Sequence, residues 1–458
     1  MREKMKNLLP QPLVQLAKQC KSPLYLVGGA VRDVIANVTP KGNRDWDICS
    51  PMPFEDFLSI AEKCGFTAKS IFKNTGTVKL TDENGQEYEY CSFRSDKYVR
   101  GTHVPVEIFF TDDIQLDARR RDFTANAVYF DIKNSDFVDP LGGIAAIHEK
   151  RLTTVAPAKK VFGEDGLRLM RLARQAGCLG FTPDCECLAG ATANASLIDD
   201  ITPERIYAEL MQILYADEKY GVTDGHYQAL KWLDKIGVLA RIFPELALGK
   251  NMAQRADFHK YDVLEHSLRA ALYADKKVRL AALFHDVGKP FCTLRDGNSY
   301  AHPQEGARIA SEALTRLKAP KNTVQRVHAL IEWHMYDLDC KTSENKLRRF
   351  FVTHLPILED LLLLKQADFS ACMDDVSPAP TCVRWRALLE KMKHENAPLQ
   401  IKDLDLSGKD LLDADIPPPH IATVLNGLLL HAAVNPKDNQ KQRLLKIAQG
   451  IEKNLAEH

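Results

Sequence analysis

Leu24-Tyr25-Leu26-Val27-Gly28-Gly29-Ala30-Val31-Arg32-Asp33, with Asp45-Trp46-Asp47 after eleven intervening residues, sets the character of the first third of the chain. A short apolar run ending in a glycine pair reads as a buried strand that enters a tight turn and then a helix. Backbone N–H groups at such a turn suit phosphate oxygens, and Arg32 adds a charged donor. Side chains alternate along a strand, so Asp45 and Asp47 are expected on one face and Trp46 in the core. Two carboxylates side by side bind hard, oxygen-seeking cations, which suit transfer at a phosphate. Glu89, in Tyr88-Glu89-Tyr90, is the candidate third carboxylate on a neighbouring strand. Alone, the glycine pair fits any strand-to-helix turn and the paired aspartates fit a surface, so their surroundings carry the reading.

Further strands are expected at 46–49, 78–80, 88–93 and 106–110. Helical spacing takes over at 164–178, 203–216, 227–240, 262–275, 278–285, 304–317, 322–334, 345–351 and 357–367. Pro-rich breaks at Ser377–Pro380 and Pro417–Pro419 set off the C-terminal part. The expected fold is α+β: a small mixed α/β head (1–150), an all-α neck (151–250), a second helical domain (251–375) and a helical tail (376–458). The 61 Lys+Arg balance 61 Asp+Glu, so any RNA surface must come from local clusters such as Arg119-Arg120-Arg121 or Arg168, Arg171 and Arg174. The 11 scattered cysteines lack C-x-x-C spacing and read as reduced thiols. No run approaches the roughly 18 apolar residues of a membrane span, and the N-terminus lacks an apolar targeting core, so a cytoplasmic protein without a membrane partner is expected.

Four segments follow the carboxylates in order: Arg120-Arg121-Asp122-Phe123-Thr124-Ala125-Asn126-Ala127; Asp139-Pro140-Leu141-Gly142-Gly143; Phe162-Gly163-Glu164-Asp165-Gly166-Leu167-Arg168-Leu169-Met170-Arg171; and Pro203-Glu204-Arg205 with Glu209. With the glycine pair and the aspartates, they resemble the class II tRNA nucleotidyltransferase and bacterial poly(A) polymerase family over about residues 20–250. The resemblance implies template-independent addition of C, C and A to tRNA from CTP and ATP, with Mg²⁺ on catalytic Asp45 and Asp47. It implies triphosphate and ribose contacts from Gly28, Gly29, Arg32, Arg120, Arg121, Asp122 and Asn126, and base selection by Asp165 and Arg168. Arg171 is expected either to contact the nucleotide or to brace Asp165. The polar stretch Arg94 to His103 resembles the loop with which CCA-adding members switch from CTP to ATP. Two departures stand out: Gly166 where the family usually has Pro, and Ala146 where its hinge often has Asp.

The base-selecting pair has a physical logic. Asp165 and Arg168 are three apart, so on a helix they share a face. Carboxylate accepts hydrogen bonds and guanidinium donates them. Cytosine and adenine each show an amino donor beside a ring-nitrogen acceptor, which suits such a pair. Uracil and guanine show the reverse order, and each buried group left unpaired costs about 1–3 kcal/mol. A surface ion pair between Glu164 and Arg168 is the plainer alternative.

A second constellation lies downstream. Leu283-Phe284-His285-Asp286-Val287-Gly288-Lys289-Pro290 follows His266 and precedes Asp368, and this order resembles the HD phosphohydrolase superfamily. His302 and His334 stand where two-metal members supply further ligands. Imidazole with carboxylate suits Mn, Fe, Co, Ni or Zn, and such a centre activates water against a phosphoester. Lys289 could neutralise phosphate charge. The fusion implies cyclic phosphodiesterase or phosphatase activity in 3′-end repair; an HD fold serving only as an RNA scaffold is the alternative. His259 carries no signal of a role. Rival readings of the whole chain are a poly(A) polymerase with the same head, or an HD phosphohydrolase with a non-catalytic head.

Overall fold

The computed structural model describes residues 1–98 and 105–456, which fall into two compact units, Met1–Ala247 with Arg316–Ala319, and Leu248–Thr315 with Pro320–His458. No helix among the described residues is long and apolar enough to cross a membrane.

Nine strands form the N-terminal part of the first unit among the described residues: β1 Tyr25–Val27, β2 Asp47–Ser50, β3 Thr67–Phe72, β4 Thr77–Thr81, β5 Glu87–Ser92, β6 Arg94–Lys97, β7 Glu107–Phe110, β8 Tyr129–Asp131 and β9 Asp136–Val138; a short pair, Arg151–Leu152 with Thr182–Pro183, follows. Seven form one sheet in the order β3-β4-β5-β2-β1-β8-β9, while β6 and β7 pair separately. β1 lies antiparallel to both β2 and β8, and β2 runs parallel to β5 with Asp47 opposite Glu89. Along β5, buried Tyr88 and Tyr90 alternate with Glu89 and Cys91. This period of two sends the tyrosines to one face, where Tyr90 stacks on Phe57 at 3.6 Å between ring centroids. The opposite face is left for the acidic side chains. β2 begins at Asp47, so Asp45 precedes the strand; Trp46 extends the ladder only by accepting from Glu89 N–H at 3.0 Å.

Helical packing takes over after residue 150. The expected helix 164–178 is broken at its start: Ala158–Glu164 ends, Asp165 is extended (φ −147°, ψ 112°), and a new helix runs Leu167–Leu179. Asp165 and Arg168 therefore do not share a helix face, which corrects the expectation from spacing. The helix expected over 227–240 is two, Gly225–Lys235 and Val238–Ile242, parted by Gly237 at φ +79°. Gly177 lets Leu167–Leu179 close on Gly225–Lys235, since a Cβ there would stand 2.1 Å from the Gly225 carbonyl oxygen.

In the second unit Val263–Tyr273, Arg279–Phe284, His302–Arg316, Lys321–Trp333 and Leu358–Met373 enclose buried His266, His285, Asp286, His302 and His334. Asp262 caps the first of these helices by accepting from Glu265 N–H at 2.7 Å. Helices Pro380–His394, Ile421–Val434 and Lys441–Ala456 follow the Pro-rich breaks. Of the expected switching loop, Arg94–Lys97 is β6 and residues 99–103 lie outside the described residues.

Candidate functional site

The acidic face of the sheet opens into a cavity of about 510 Å³. Its wall includes Gly28, Gly29, Arg32, Asp45, Asp47, Glu89, Arg120, Arg121, Asp122, Asn126, Asp165, Arg168 and Arg171, so residues 143 positions apart in the chain meet there. Gly28 has φ +78°, and a Cβ on it would lie 2.8 Å from an Asp47 carboxylate oxygen. Both the conformation and the close approach require glycine. Burial pushes the Asp47 carboxyl up to about 6, with Glu89 and Asp45 adding to the rise against Arg121 and Arg171. Asp47 and Glu89 stand opposite each other across β2 and β5 and share the cavity wall with Asp45, and carboxylate oxygens of this kind suit a divalent cation.

The arginines are held by one another's partners. Arg32 donates to Asn126 Oδ1 at 2.8 Å and Asp33 Oδ1 at 2.8 Å, and Asn126 donates to Asp122 and to Gln175, both at 3.0 Å. Asp122 in turn holds Arg171 at 2.6 Å. Arg171 thus braces Asp122 rather than Asp165, whose nearest cation is Arg205 at 3.6 Å. Asp165 also accepts from Leu167 N–H at 3.0 Å, anchoring the start of the second helix. Arg168 donates to the Val161 and Arg120 carbonyls at 2.9 and 2.7 Å and pairs with Glu164 at 2.7 Å. Its guanidinium stands 5.7 Å from the centre of the Tyr98 ring.

Gly166 joins the two short helices by necessity. A Cβ there would lie 2.3 Å from the Leu197 carbonyl oxygen and 2.6 Å from its carbon. Gly166→Ala is expected to cost about 1–3 kcal/mol as overpacking, read as a fall in urea midpoint, and to displace Asp165 from its place in the cavity wall. The hinge needs no acid at Ala146: Asp139 accepts from Gly143 and Ile144 N–H at 2.7 and 2.9 Å.

Other wall residues gave no sequence signal. Lys219 pairs with Asp45 at 3.0 Å, and Tyr220 accepts from Arg32 at 2.7 Å and donates to Asp33 at 3.0 Å. Neither belongs to a recognised segment; only the fold brings them to the carboxylates. Buried Asp117 orients Arg120 and Arg121, and its spacing of three and four residues from them was the available clue.

The second centre consists of two triads, His266–His285–Asp368 and Asp286–His302–His334. In the first, His266 Nε2 lies 3.1 Å from His285 Nε2 and 3.0 Å from Asp368 Oδ1. In the second, His302 Nε2 lies 3.3 Å from His334 Nε2 and 3.3 Å from Asp286 Oδ1. Asp286 Oδ2 reaches back to His266 and His285, each at 3.4 Å, and so bridges the triads. His285, His302 and His334 place Nδ1 2.8, 2.7 and 2.6 Å from the carbonyls of Ala282, Ser299 and Ile331. A carbonyl only accepts, so each Nδ1 carries the proton and each Nε2 turns a lone pair inward. Converging lone pairs and carboxylates fit a pair of divalent cations. Lys289 Nζ sits 2.6 Å from Asp286, and Lys365, pushed down to about 8 by burial, donates to the His334 carbonyl at 2.6 Å. Asp286, Lys289, Lys365 and Asp368 open onto a cavity of about 730 Å³.

Known proteins match this arrangement along the chain. The Poly A polymerase head domain matches residues 24–153, the "Probable RNA and SrmB- binding site of polymerase A" 180–248, and the HD domain 259–369. The A-adding tRNA nucleotidyltransferase of Deinococcus radiodurans is 30% identical over 88% of this chain and 90% of its own. A multifunctional CCA protein of Stenotrophomonas maltophilia is 33% identical over 68% of this chain and 75% of its own. Among solved structures, the Bacillus stearothermophilus CCA-adding enzyme in complex with CTP shares the fold, with TM-score 0.66 and 23% identity over 98% of this chain and 100% of that one. A nucleotidyltransferase head and an HD domain both use divalent metals. The chain belongs to the tRNA nucleotidyltransferase family that shares the poly(A) polymerase head, and it is an enzyme of that family carrying an HD domain.

Proposed function

We propose that this enzyme adds C, C and A, without a template, to the 3′ end of cytoplasmic tRNA from CTP and ATP. The carrying observation is that one cavity is lined by the three carboxylates, the arginines and both Asp165 and Arg168. Mg²⁺ held by Asp45 and Asp47, with Glu89 beside them, would supply Lewis-acid activation of the 3′-hydroxyl and charge relief for the departing pyrophosphate. Gly28 and Gly29 offer backbone N–H groups to the triphosphate. Arg32, Arg120, Arg121 and Arg171 balance its charge, while Asp122 and Asn126 keep those guanidiniums oriented. Asp165 accepts from the amino group of cytosine or adenine and Arg168 donates to the adjacent ring nitrogen. The neck at 151–250 and the tail at 376–458 take the tRNA body by shape and phosphate contacts. The relative in Deinococcus radiodurans, which adds A, supports a second reading in which this chain adds A alone.

Incorporation on tRNA transcripts ending before CCA, after C and after CC separates these readings. Two C and one A followed by arrest is the expected result. A single A accepted only after CC identifies an A-adding enzyme, and long A tails a poly(A) polymerase.

The domain at 251–375 is assigned hydrolysis of phosphate-bearing RNA ends with a transition metal such as Mn, Co, Ni, Fe or Zn on His266, His285, Asp286, His302, His334 and Asp368. Two bridged triads with inward lone pairs support this over a scaffold role. Altering groups that merely orient metal ligands costs up to about 100-fold, so Asp286→Ala should lower 2′,3′-cyclic phosphate hydrolysis by at least that much. CTP incorporation should survive; equal loss of both activities would instead indicate general unfolding.

A further inference from the structure

His266 breaks the pattern of its three companions. Their Nδ1 atoms each meet a main-chain carbonyl, whereas His266 Nδ1 is buried without a hydrogen-bond partner. The ring is wholly buried, with Nε2 already facing His285 and Asp368. His259 Nδ1 is likewise buried and unpartnered, and the rings of His259 and His266 meet edge to face with centroids 4.8 Å apart.

Cys372 completes the group. It lies four residues after Asp368 in helix Leu358–Met373, on the same face and one turn on. Lys260 N–H donates to the Cys372 carbonyl at 2.9 Å, which ties the segment carrying His259 to this turn. A ring nitrogen of His259, a ring nitrogen of His266 and Cys372 Sγ all lie within 4.8 Å of one another. His259 and Cys372 also line the 730 Å³ cavity, beside Asp286 and Asp368.

We propose that His259, His266 and Cys372 form a third cation seat, for a borderline ion of the zinc class. His266 is shared, giving Nε2 to the paired centre and Nδ1 to the new one. One thiolate and two imidazoles, with a fourth position open to the cavity, make the donor set of an exchangeable zinc site. On binding, Cys372 releases its thiol proton and His266 its remaining ring proton to solvent. The dication then meets one thiolate, one imidazolate and one neutral imidazole, and the charges balance. Its open position faces the cavity, where it would take an oxygen of a phosphate ester.

Co²⁺ is the probe, titrated into the metal-stripped full chain with excess Mg²⁺ present to hold the carboxylates of the head. Wild type should bind one Co²⁺ more than Cys372→Ser and show a near-ultraviolet sulfur-to-cobalt charge-transfer band. Cys372→Ser should lose that band and keep the visible bands of the remaining cobalt. His259→Ala, which leaves the thiol in place, should also bind one ion fewer. Equal counts in wild type and Cys372→Ser, or no sulfur band in wild type, overturn the proposal. If Cys372→Ser does not fold, His259→Ala decides: a count equal to wild type overturns it.

Discussion

Asp47→Asn should abolish nucleotide incorporation while leaving the protein at least as stable as before. Asp47 stands opposite Glu89 across β2 and β5, against the backbone of Gly28, in the cavity that holds Asp45. Neutralising it removes a cation ligand at the point where charge develops. A bound cation supplies several kcal/mol of transition-state stabilisation, so kcat should fall by about 10³-fold or more. The stability effect runs the other way. Burial and two neighbouring carboxylates raise the Asp47 carboxyl to about 6 from 3.8. An acid raised on folding costs nothing below its unfolded value; the cost grows as pH rises through that value and is complete above about 6. Removing it should stabilise the metal-free protein at pH 7 by roughly 1–3 kcal/mol. Steady-state incorporation and urea midpoints without metal test both halves. Retained activity would remove Asp47 from the chemistry, and lost activity with a lowered midpoint would point to misfolding.

Burial decides which strands were legible in sequence. β1, β4 and β5 are buried on at least one face, so their apolar residues show as runs or alternations. β3 is an edge strand whose residues are mostly exposed, so no such pattern marks it. The break at Asp165–Gly166 was hidden because residues on both sides have helical character, and the deciding contact is with Leu197, more than thirty positions away. Local spacing brought out the paired aspartates and the His-Asp doublet because their chemistry needs neighbours in the chain. It was silent on Lys219, Tyr220, His259 and Cys372, which reach their centres only through the packing of distant helices and loops. Arg171 shows the limit from the other side: its presence was legible, but its partner Asp122 belongs to another segment.

The same logic makes Asp117→Asn the most damaging single change expected for the fold of the first unit. Asp117 is fully buried and accepts from Arg120 Nε at 2.7 Å, Arg121 at 3.1 Å and the Tyr129 hydroxyl at 2.7 Å. Burial alone would raise its carboxyl, but Arg120 and Arg121 outweigh that, and with the Tyr129 hydrogen bond they pull it down to about 2. Asparagine keeps the shape but leaves two guanidiniums without their carboxylate, and breaking a buried pair from one side costs about 3–5 kcal/mol. The pH dependence has a definite sign. A depressed carboxyl stabilises fully above its unfolded value of 3.8 and loses that contribution as pH falls through about 2. The shift is worth about 2 kcal/mol, so the wild-type advantage over Asp117→Asn should be greatest near neutrality and shrink between pH 4 and pH 2. Because Arg120 and Arg121 also line the cavity proposed to take the triphosphate, the folded fraction of the variant should show a raised KM for CTP and ATP. Denaturation series at neutral and acid pH separate this from ordinary core damage: a midpoint gap that stays constant with pH would mean that packing, not the carboxylate charge, holds the two arginines in place.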